Sequence, residues 1–329
     1  QVTIGLVALA LQDLGLKARS WPSWELPIRS DDTHGKARIR SIETAKIVEG
    51  FKRGEIAVVP GFQAVAPDGR ITTLGRGGSD TTAVALAAAL GADRCQIYTD
   101  VTGVYTADPR IVADARWLGV VGYEEMLELA NQGAQVMQTR AVELGWVNGV
   151  TIEVRSSYEE HPGTLIKEDS SVEQRNKVRG LAVDKGVAKV TMVAVPDRPG
   201  IARAVFDPLA ASGANVDMIV QNVSHDGTTD LSFTMSRTDL AAARAQLEQV
   251  RAAIGARALE IDESVAKVSI VGAGIQNAPG YAARMFGTLA DNAVNIQMIS
   301  TSEIRITCIV AEGDADRALK ALHAAFDLA

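Results

Sequence analysis

Apolar residues recur at helical spacing in VTIGLVALALQD (2–13), after which short extended runs alternate with helical ones. LKARS (16–20), KARIRSI (36–42), IAVVP (56–60), CQIYT (95–99) and TIEVRSS (151–157) read as strands bounded by turn-forming residues. Glu43–Arg53 and Thr81–Leu90 read as helices stopped by Gly54 and Gly91, and Met126–Leu144 as one further helical stretch. Such alternation predicts an α/β domain over residues 1–167, with a mostly parallel sheet covered by helices.

The pattern changes after His161, where HPGTLIKEDSSVEQRNKVRG turns polar and charged and marks a boundary. Beyond it the chain repeats itself. AKVTMVAV from Ala188 aligns with AKVSIVGA from Ala266, and Pro199-Gly200 returns as Pro279-Gly280, 80 residues later. Phe206 matches Phe286, Leu209 matches Leu289, Asn215 matches Asn295, and Met218-Ile219 matches Met298-Ile299. Each copy reads strand, Pro-Gly turn, helix, strand, with a further strand and a closing helix. Two small α+β modules are therefore expected, at 188–262 and 263–329, with 168–187 as linker and strand.

Composition narrows the ligand class. Of 329 residues, 47% are apolar and 22% charged, and the net charge is −7, which disfavours nucleic acid or an anionic membrane as partner. No run reaches membrane-spanning length, and two distant cysteines, Cys95 and Cys308, suit a reducing compartment, so a cytoplasmic protein is expected. No cluster of metal-ligating residues stands out.

The stretch TTLGRGGSDTTAVALAAALGA (72–92) places Gly75, Gly77 and Gly78 just ahead of a helix. It is neither a Walker A loop nor a dinucleotide fingerprint. A helix start there, capped by Ser79 or Asp80, would present free amides and a positive dipole end to a phosphate or carboxylate, with Arg76 adding a guanidinium. A plain strand-to-helix turn with a solvated arginine is the competing reading. In YTDVTGVYTADPR (98–110), Thr99 and Asp100 fall at the C-terminal end of a strand, where open α/β sheets bind ligands, and Arg110 adds a second cation. His34, in DDTHGKARI, belongs either to a loop over this site or to a solvated turn.

TTLGRGGSDTTAVALAAALGAD, YTDVTGVYTADPRIV and RSSYEEHPGTLI resemble the aspartate kinase family, of the amino-acid kinase fold, and the tandem modules resemble its paired ferredoxin-like ACT domains. The resemblance implies transfer of the ATP γ-phosphoryl group to the side-chain carboxylate of L-aspartate, on the route to lysine, threonine and methionine. It implies that Arg76, Gly77, Gly78 and Ser79 hold aspartate, with Arg76 and Asp80 at the catalytic centre. It further implies that ATP, accompanied by Mg2+, is bound by Ser79, Thr99, Asp100, Tyr105, Thr106, Ala107, Asp108, Pro109, Arg110, Gln135 and Val136.

For the modules it implies feedback inhibition by lysine or threonine, a homodimer or higher homo-oligomer through the ACT domains, and insertion of the first module into the second, with RGLAVDK completing the latter's sheet. Effector contacts are expected at Asp197, Arg198, Pro199, Gly200, Ile201, Asn215 and Gln221, and again at Asn277, Pro279, Gly280, Asn295 and Ile296. The second copy has no aspartate before its Pro-Gly, so it either binds more weakly or serves only packing. Two departures from the family pattern stand out: the N-terminal strand and Lys-x-Gly-Gly loop are absent, and Gln135 stands where the family commonly has lysine. The chain alone is accordingly expected to show little turnover, and a non-catalytic regulatory subunit is the alternative.

Overall fold

The computed structural model describes residues 1–168, 177–222, 227–276 and 278–329. Its elements are α1 (Val2–Asp13), β1 (Ala18–Ser20), β2 (Ile28–Ser30), β3 (Ile39–Ile42), α2 (Ala45–Lys52), β4 (Ile56–Val58), β5 (Gln63–Val65), β6 (Ile71–Thr73), α3 (Gly78–Leu90), β7 (Cys95–Thr99), β8 (Val104–Tyr105), β9 (Trp117–Leu118), β10 (Val120–Val121), α4 (Tyr123–Asn131), α5 (Thr139–Asn148), β11 (Ile152–Ser156) and β12 (Thr164–Ile166). There follow β13 (Gly180–Asp184), β14 (Val187–Pro196), α6 (Ile201–Ala211), β15 (Val216–Gln221), β16 (Thr228–Ser236), α7 (Arg237–Ile254), β17 (Ala258–Asp262), β18 (Val265–Val271), α8 (Tyr281–Asp291), β19 (Met298–Ser302), β20 (Arg305–Ala311) and α9 (Ala315–Ala325).

Contacts divide the chain into two compact units. The first holds Gln1–Tyr105, Trp117–Asn131 and residues 135–168; the second holds Thr106–Arg116, Gln132–Ala134 and the described residues from Lys177 to Ala329. Two short stretches of the N-terminal half thus pack with the C-terminal modules.

In the first unit the sheets are mixed. β10-β12-β11-β7 combines parallel β11·β7 and β10·β12 ladders with an antiparallel β11·β12 pair, and β3-β2-β5-β6 has one parallel pair between two antiparallel ones. The antiparallel hairpins come from three-residue strands such as β5 and β6, too short to show a sequence period. Ile28, Ala37, Ala64 and Leu74 form one core cluster, and Trp21, Leu26 and Ile47 a second, against which Leu86 and Leu90 of α3 pack. The helical stretch expected over Met126–Leu144 is broken: α4 stops at Asn131 and α5 starts at Thr139. Gly133 breaks it with φ 114°, a backbone conformation that L side chains rarely adopt, and a Cβ there would strike the carbonyl of Val183.

The second unit contains two four-stranded antiparallel sheets, β15-β16-β14-β17 and β13-β18-β20-β19. β13, which precedes the first module, pairs with β18 of the second, Gly180 opposite Val271. Alternating Ala188, Val190 and Met192 bury one face of β14 under α6 and α7, and Ala266, Val268 and Ile270 do the same for β18 under α8 and α9. Ser236 caps α7 by accepting the Asp239 amide at 2.9 Å, and Gly255 ends it with φ 77°. The modules meet through Val187, Met218, Val265, Met298 and Ile309. Reciprocal lysines cross the same seam: Lys267 Nζ lies 2.7 Å from Asp217, and Lys189 Nζ donates to Gln297 at 3.2 Å. Both cysteines are free and buried. Among the described residues no helix is long and apolar enough to cross a membrane.

Candidate active site

The glycine turn before α3 is dictated by conformation and by close packing. Gly75 and Gly77 have φ of 85° and 65°, and Gly77, not Ser79 or Asp80, is the N-cap, with no side-chain cap bond. α3 therefore starts three residues ahead of the expected Thr81. A Cβ on Gly75 would stand 2.5 Å from Gly35 O, one on Gly77 2.6 Å from Gln138 Cβ, and one on Gly78 2.9 Å from Leu74 Cβ. At all three glycines a Cβ would meet neighbouring protein. Gly78 is buried, and its amide donates to Gly75 O at 3.0 Å.

What stays open is the rim. Arg76 and Ser79 are exposed, and among the described residues the amides of Arg76, Gly77, Ser79 and Asp80 donate no hydrogen bond. Free N–H groups at the positive end of a 13-residue helix, beside a guanidinium, favour an anion. Asp80 lies in the first turn, where burial holds its carboxyl above the usual aspartate range against the lowering pull of the Gln138 backbone N–H. Burial, with the Asp80 charge adding to it, pushes the Cys95 thiol up to about 11, which leaves that cysteine an inert core residue.

Two supports were invisible at motif level. Gln138, the N-cap of α5, packs its side chain on Gly77. Arg140, on the first turn of the same helix, donates to Leu74 O at 3.2 Å and to Ala37 O at 2.8 Å, tying the glycine turn to the segment before β3. Burial, before the neighbouring charges, pulls its guanidinium below the ordinary arginine value. A cation in a helix's first turn opposes the macrodipole, the one sequence signal that could have flagged it. The loop carrying His34 reaches the same place, since Gly35 O faces Gly75. Asp31 staples that loop by accepting the amides of Arg38 at 3.1 Å and Thr33 at 3.3 Å, with Arg38 foremost in lowering its carboxyl.

Of the expected nucleotide residues, Thr99 donates to Asp100 Oδ1 at 3.1 Å at the end of β7, where Asp100 is exposed, and Tyr105 shares a 2.7 Å hydrogen bond with Thr102. Gln135 is exposed and Val136 half-buried, on the loop that ends at Gln138. Among the described residues no hydrogen bond or ion pair joins the glycine turn to Thr99–Tyr105. Thr106 and Ala107 are 0% and 4% exposed, inside the second unit. Asp108 and Arg110 pair at 2.7 Å beside exposed Pro109, and Arg110 lowers the Asp108 carboxyl.

The effector turn of the first module, Asp197–Gly200, is exposed and ends in Gly200 at φ 88°. Ile201, at 6% exposure, anchors α6 in the core. Asn215 and Gln221 are exposed at either end of β15. In the second module Pro279, Gly280 and Asn295 are exposed, Ile296 packs against the core, and Asn277 lies outside the described residues. The two turns differ in surroundings. Beside the second, the Lys177 amide donates to Tyr281 Oη at 3.1 Å and Arg179 N to Val271 O at 2.7 Å, while Gly272 leaves no room for a Cβ next to Lys177 O. Its counterpart in the first module is Ala194, at φ 51° with its amide on Asp230 at 2.8 Å.

Comparison with known proteins follows the same order of parts. A model described as amino acid kinase family matches residues 3–156, and ACT domain models match 189–252 and 268–326. An aspartate kinase of Pseudomonas fluorescens is 50% identical, over 100% of this chain and 80% of its own. Aspartokinase 2 of Bacillus subtilis is 47% identical over the same shares, 100% and 80%. The structure of E. coli aspartokinase III in complex with aspartate and ADP superposes with a TM-score of 0.83 at 27% identity, over 98% of this chain and 72% of that one. The same enzyme in complex with lysine and aspartate gives 0.76 at 28% identity, again over 98% and 72%. Identity near one half along the whole chain goes beyond a shared fold, and the chain belongs to the aspartate kinase family.

Proposed function

We propose that the rim of the glycine turn seats L-aspartate for phosphorylation. The α-carboxylate or the reacting carboxylate is taken by Arg76 and the free amides of Ser79 and Asp80. A side-chain carboxylate oxygen attacks the γ-phosphorus of ATP, the bond from that phosphorus to the β,γ-bridging oxygen breaks, and ADP leaves with the bond's electrons. The product is an acyl phosphate. No general base is needed, because the nucleophile is already ionised, so positioning and charge neutralisation carry the catalysis. Thr99, Asp100, Tyr105, Asp108–Arg110, Gln135 and Val136 are assigned to the nucleotide. Mg2+ is assigned to the phosphates of ATP, keeping mostly phosphate and water ligands.

In the modules, lysine or threonine is assigned to the exposed Asp197–Gly200 turn, its carboxylate on the turn amides and its ammonium on Asp197. The edge strands β15 and β19 carry Ile219 and Ile299 at 51% and 43% exposure, which supports homo-oligomer contacts there.

The observation that carries the catalytic reading is the exposed pair Arg76 and Ser79 on unpaired amides at the start of α3. Arg76→Ala in the full-length protein should lower kcat/KM for aspartate by about 100- to 1000-fold. Its melting temperature should not move, because the side chain is exposed. A variant within threefold of the parent, on the order of 0.6 kcal/mol, would remove Arg76 from the site.

A further inference from the structure

The C-terminal helix reaches the stretch that carries Asp108–Arg110. Thr106 is fully buried, and every polar group it has is engaged within the second unit. Its amide donates to Arg116 O at 2.9 Å and its carbonyl accepts the Leu181 amide at 2.7 Å. Its hydroxyl accepts the Arg116 amide at 2.9 Å, donates to Leu328 O at 3.1 Å and lies 2.9 Å from His323 Nε2. A hydroxyl has one proton, and a carbonyl can only accept, so that proton goes to Leu328. His323 must therefore be the donor, with its proton on Nε2. His323 sits on α9 at 1% exposure, with Nδ1 turned toward Asp114 at 3.8 Å.

The bond fixes more than one residue. Immediately after Thr106, the Asp108 carbonyl accepts the amides of Ile111 and Val112 at 3.0 and 2.9 Å, closing the turn that displays Arg110. Ala107 and Val112 are core residues shared with Leu181, Leu322, Phe326 and Leu328. The turn is thus gripped on both sides by apolar packing, and oriented from inside by one directional contact.

We propose that His323 is a positioning residue for nucleotide binding: by donating to Thr106 it sets the turn from which Asp108, Pro109 and Arg110 meet ATP. This rests on the assignment of that turn to the nucleotide. The role falls to a residue of the regulatory half of the chain, more than 200 positions away along the sequence.

Steady-state kinetics of the full-length protein separate the possibilities. Loss of one buried directional hydrogen bond is worth about tenfold, so His323→Leu and Thr106→Val should each raise KM for ATP by about that factor and leave KM for aspartate within about twofold. The double variant should be no worse than either single one. His323→Gln and Thr106→Ser keep a donor and a hydroxyl, and should recover most of the loss; they also serve if the apolar variants fail to fold. Arg110→Ala tests the underlying assignment. If it leaves KM for ATP unchanged, the nucleotide turn itself is misplaced and the proposal falls with it. If Arg110→Ala weakens ATP while the Thr106 and His323 variants change only melting temperature, the clasp is structural and His323 has no positioning role.

Discussion

Replacing Gly77 by alanine perturbs the proposed aspartate seat through its support rather than its surface. At φ 65° the residue lies in the left-handed region, where a Cβ costs about 1–2 kcal/mol. The new methyl carbon would also stand 2.6 Å from Gln138 Cβ, well inside contact distance, so the N-terminus of α5 or the glycine turn must move. Overpacking of this kind adds about 1–3 kcal/mol, for a total of roughly 2–5 kcal/mol in the first unit. Gly91, which closes the same helix at φ 59° with nothing within 4 Å of its Cβ position, is the matched control. Gly91→Ala should cost only the backbone part, about 1–2 kcal/mol, with kinetics unchanged. Gly77→Ala should lose more stability and at least about tenfold in kcat/KM for aspartate, because the amides of Ser79 and Asp80 shift with the turn. Gln138→Gly removes the clashing atom at an N-cap that tolerates glycine, and should restore part of both losses in the double variant. Chemical denaturation and aspartate kinetics on the four proteins suffice. Equal effects of Gly77→Ala and Gly91→Ala, or no rescue by Gln138→Gly, would refute the packing account of the turn.

Asp80→Asn should raise stability at neutral pH while abolishing turnover. Burial raises the folded-state pKa of this carboxyl, so its ionisation opposes folding as pH rises through that value, and the gain in melting temperature should vanish once pH falls below the carboxylate range. Gln135→Lys should tighten ATP by about tenfold, since an exposed cation on that loop would add a charged contact to phosphate; unchanged KM for ATP would place Gln135 outside the site. Asp197→Ala should shift the inhibition curve for lysine or threonine by about 10- to 100-fold and leave uninhibited rates intact, whereas Pro279→Ala should leave the curve in place.

Much of this organisation was legible in the sequence. The long strands β14 and β18, the repeat that relates them and the helices closed by Gly54 and Gly91 all carried either a period or a breaker. Strands of two or three residues, such as β5, β6 and β8, carried neither, because they are too short to show a period and their identity comes from the ladders they join. The same limit applies at the site. GRGGSD announced a tight turn, but what a bare glycine faces depends on Leu74, Gln138 and Gly35, all three of which lie outside the motif. Thr106 read as a nucleotide residue because it stands among them; the buried hydroxyl is spent on Leu328, Arg116 and His323, none of which local spacing could supply.

The two stretches that leave the first unit, Thr106–Arg116 and Gln132–Ala134, are the ones adjoining Tyr105 and Gln135. Each is fastened to the second module by a polar contact inside its fold, Thr106 to His323 at 2.9 Å and Gln132 to Ser269 at 3.1 Å. Ser269 is in turn bonded to Thr307 at 2.7 Å across the central ladder β18·β20. A ligand that repacked this sheet would therefore act on the chain next to both Tyr105 and Gln135, the residues proposed for the nucleotide. Differential binding to two packings is all that such coupling requires, and about 1–3 kcal/mol is its usual size. Feedback of this construction should raise KM for ATP, and initial-rate kinetics with and without lysine or threonine check it; an unchanged KM for ATP would refute it.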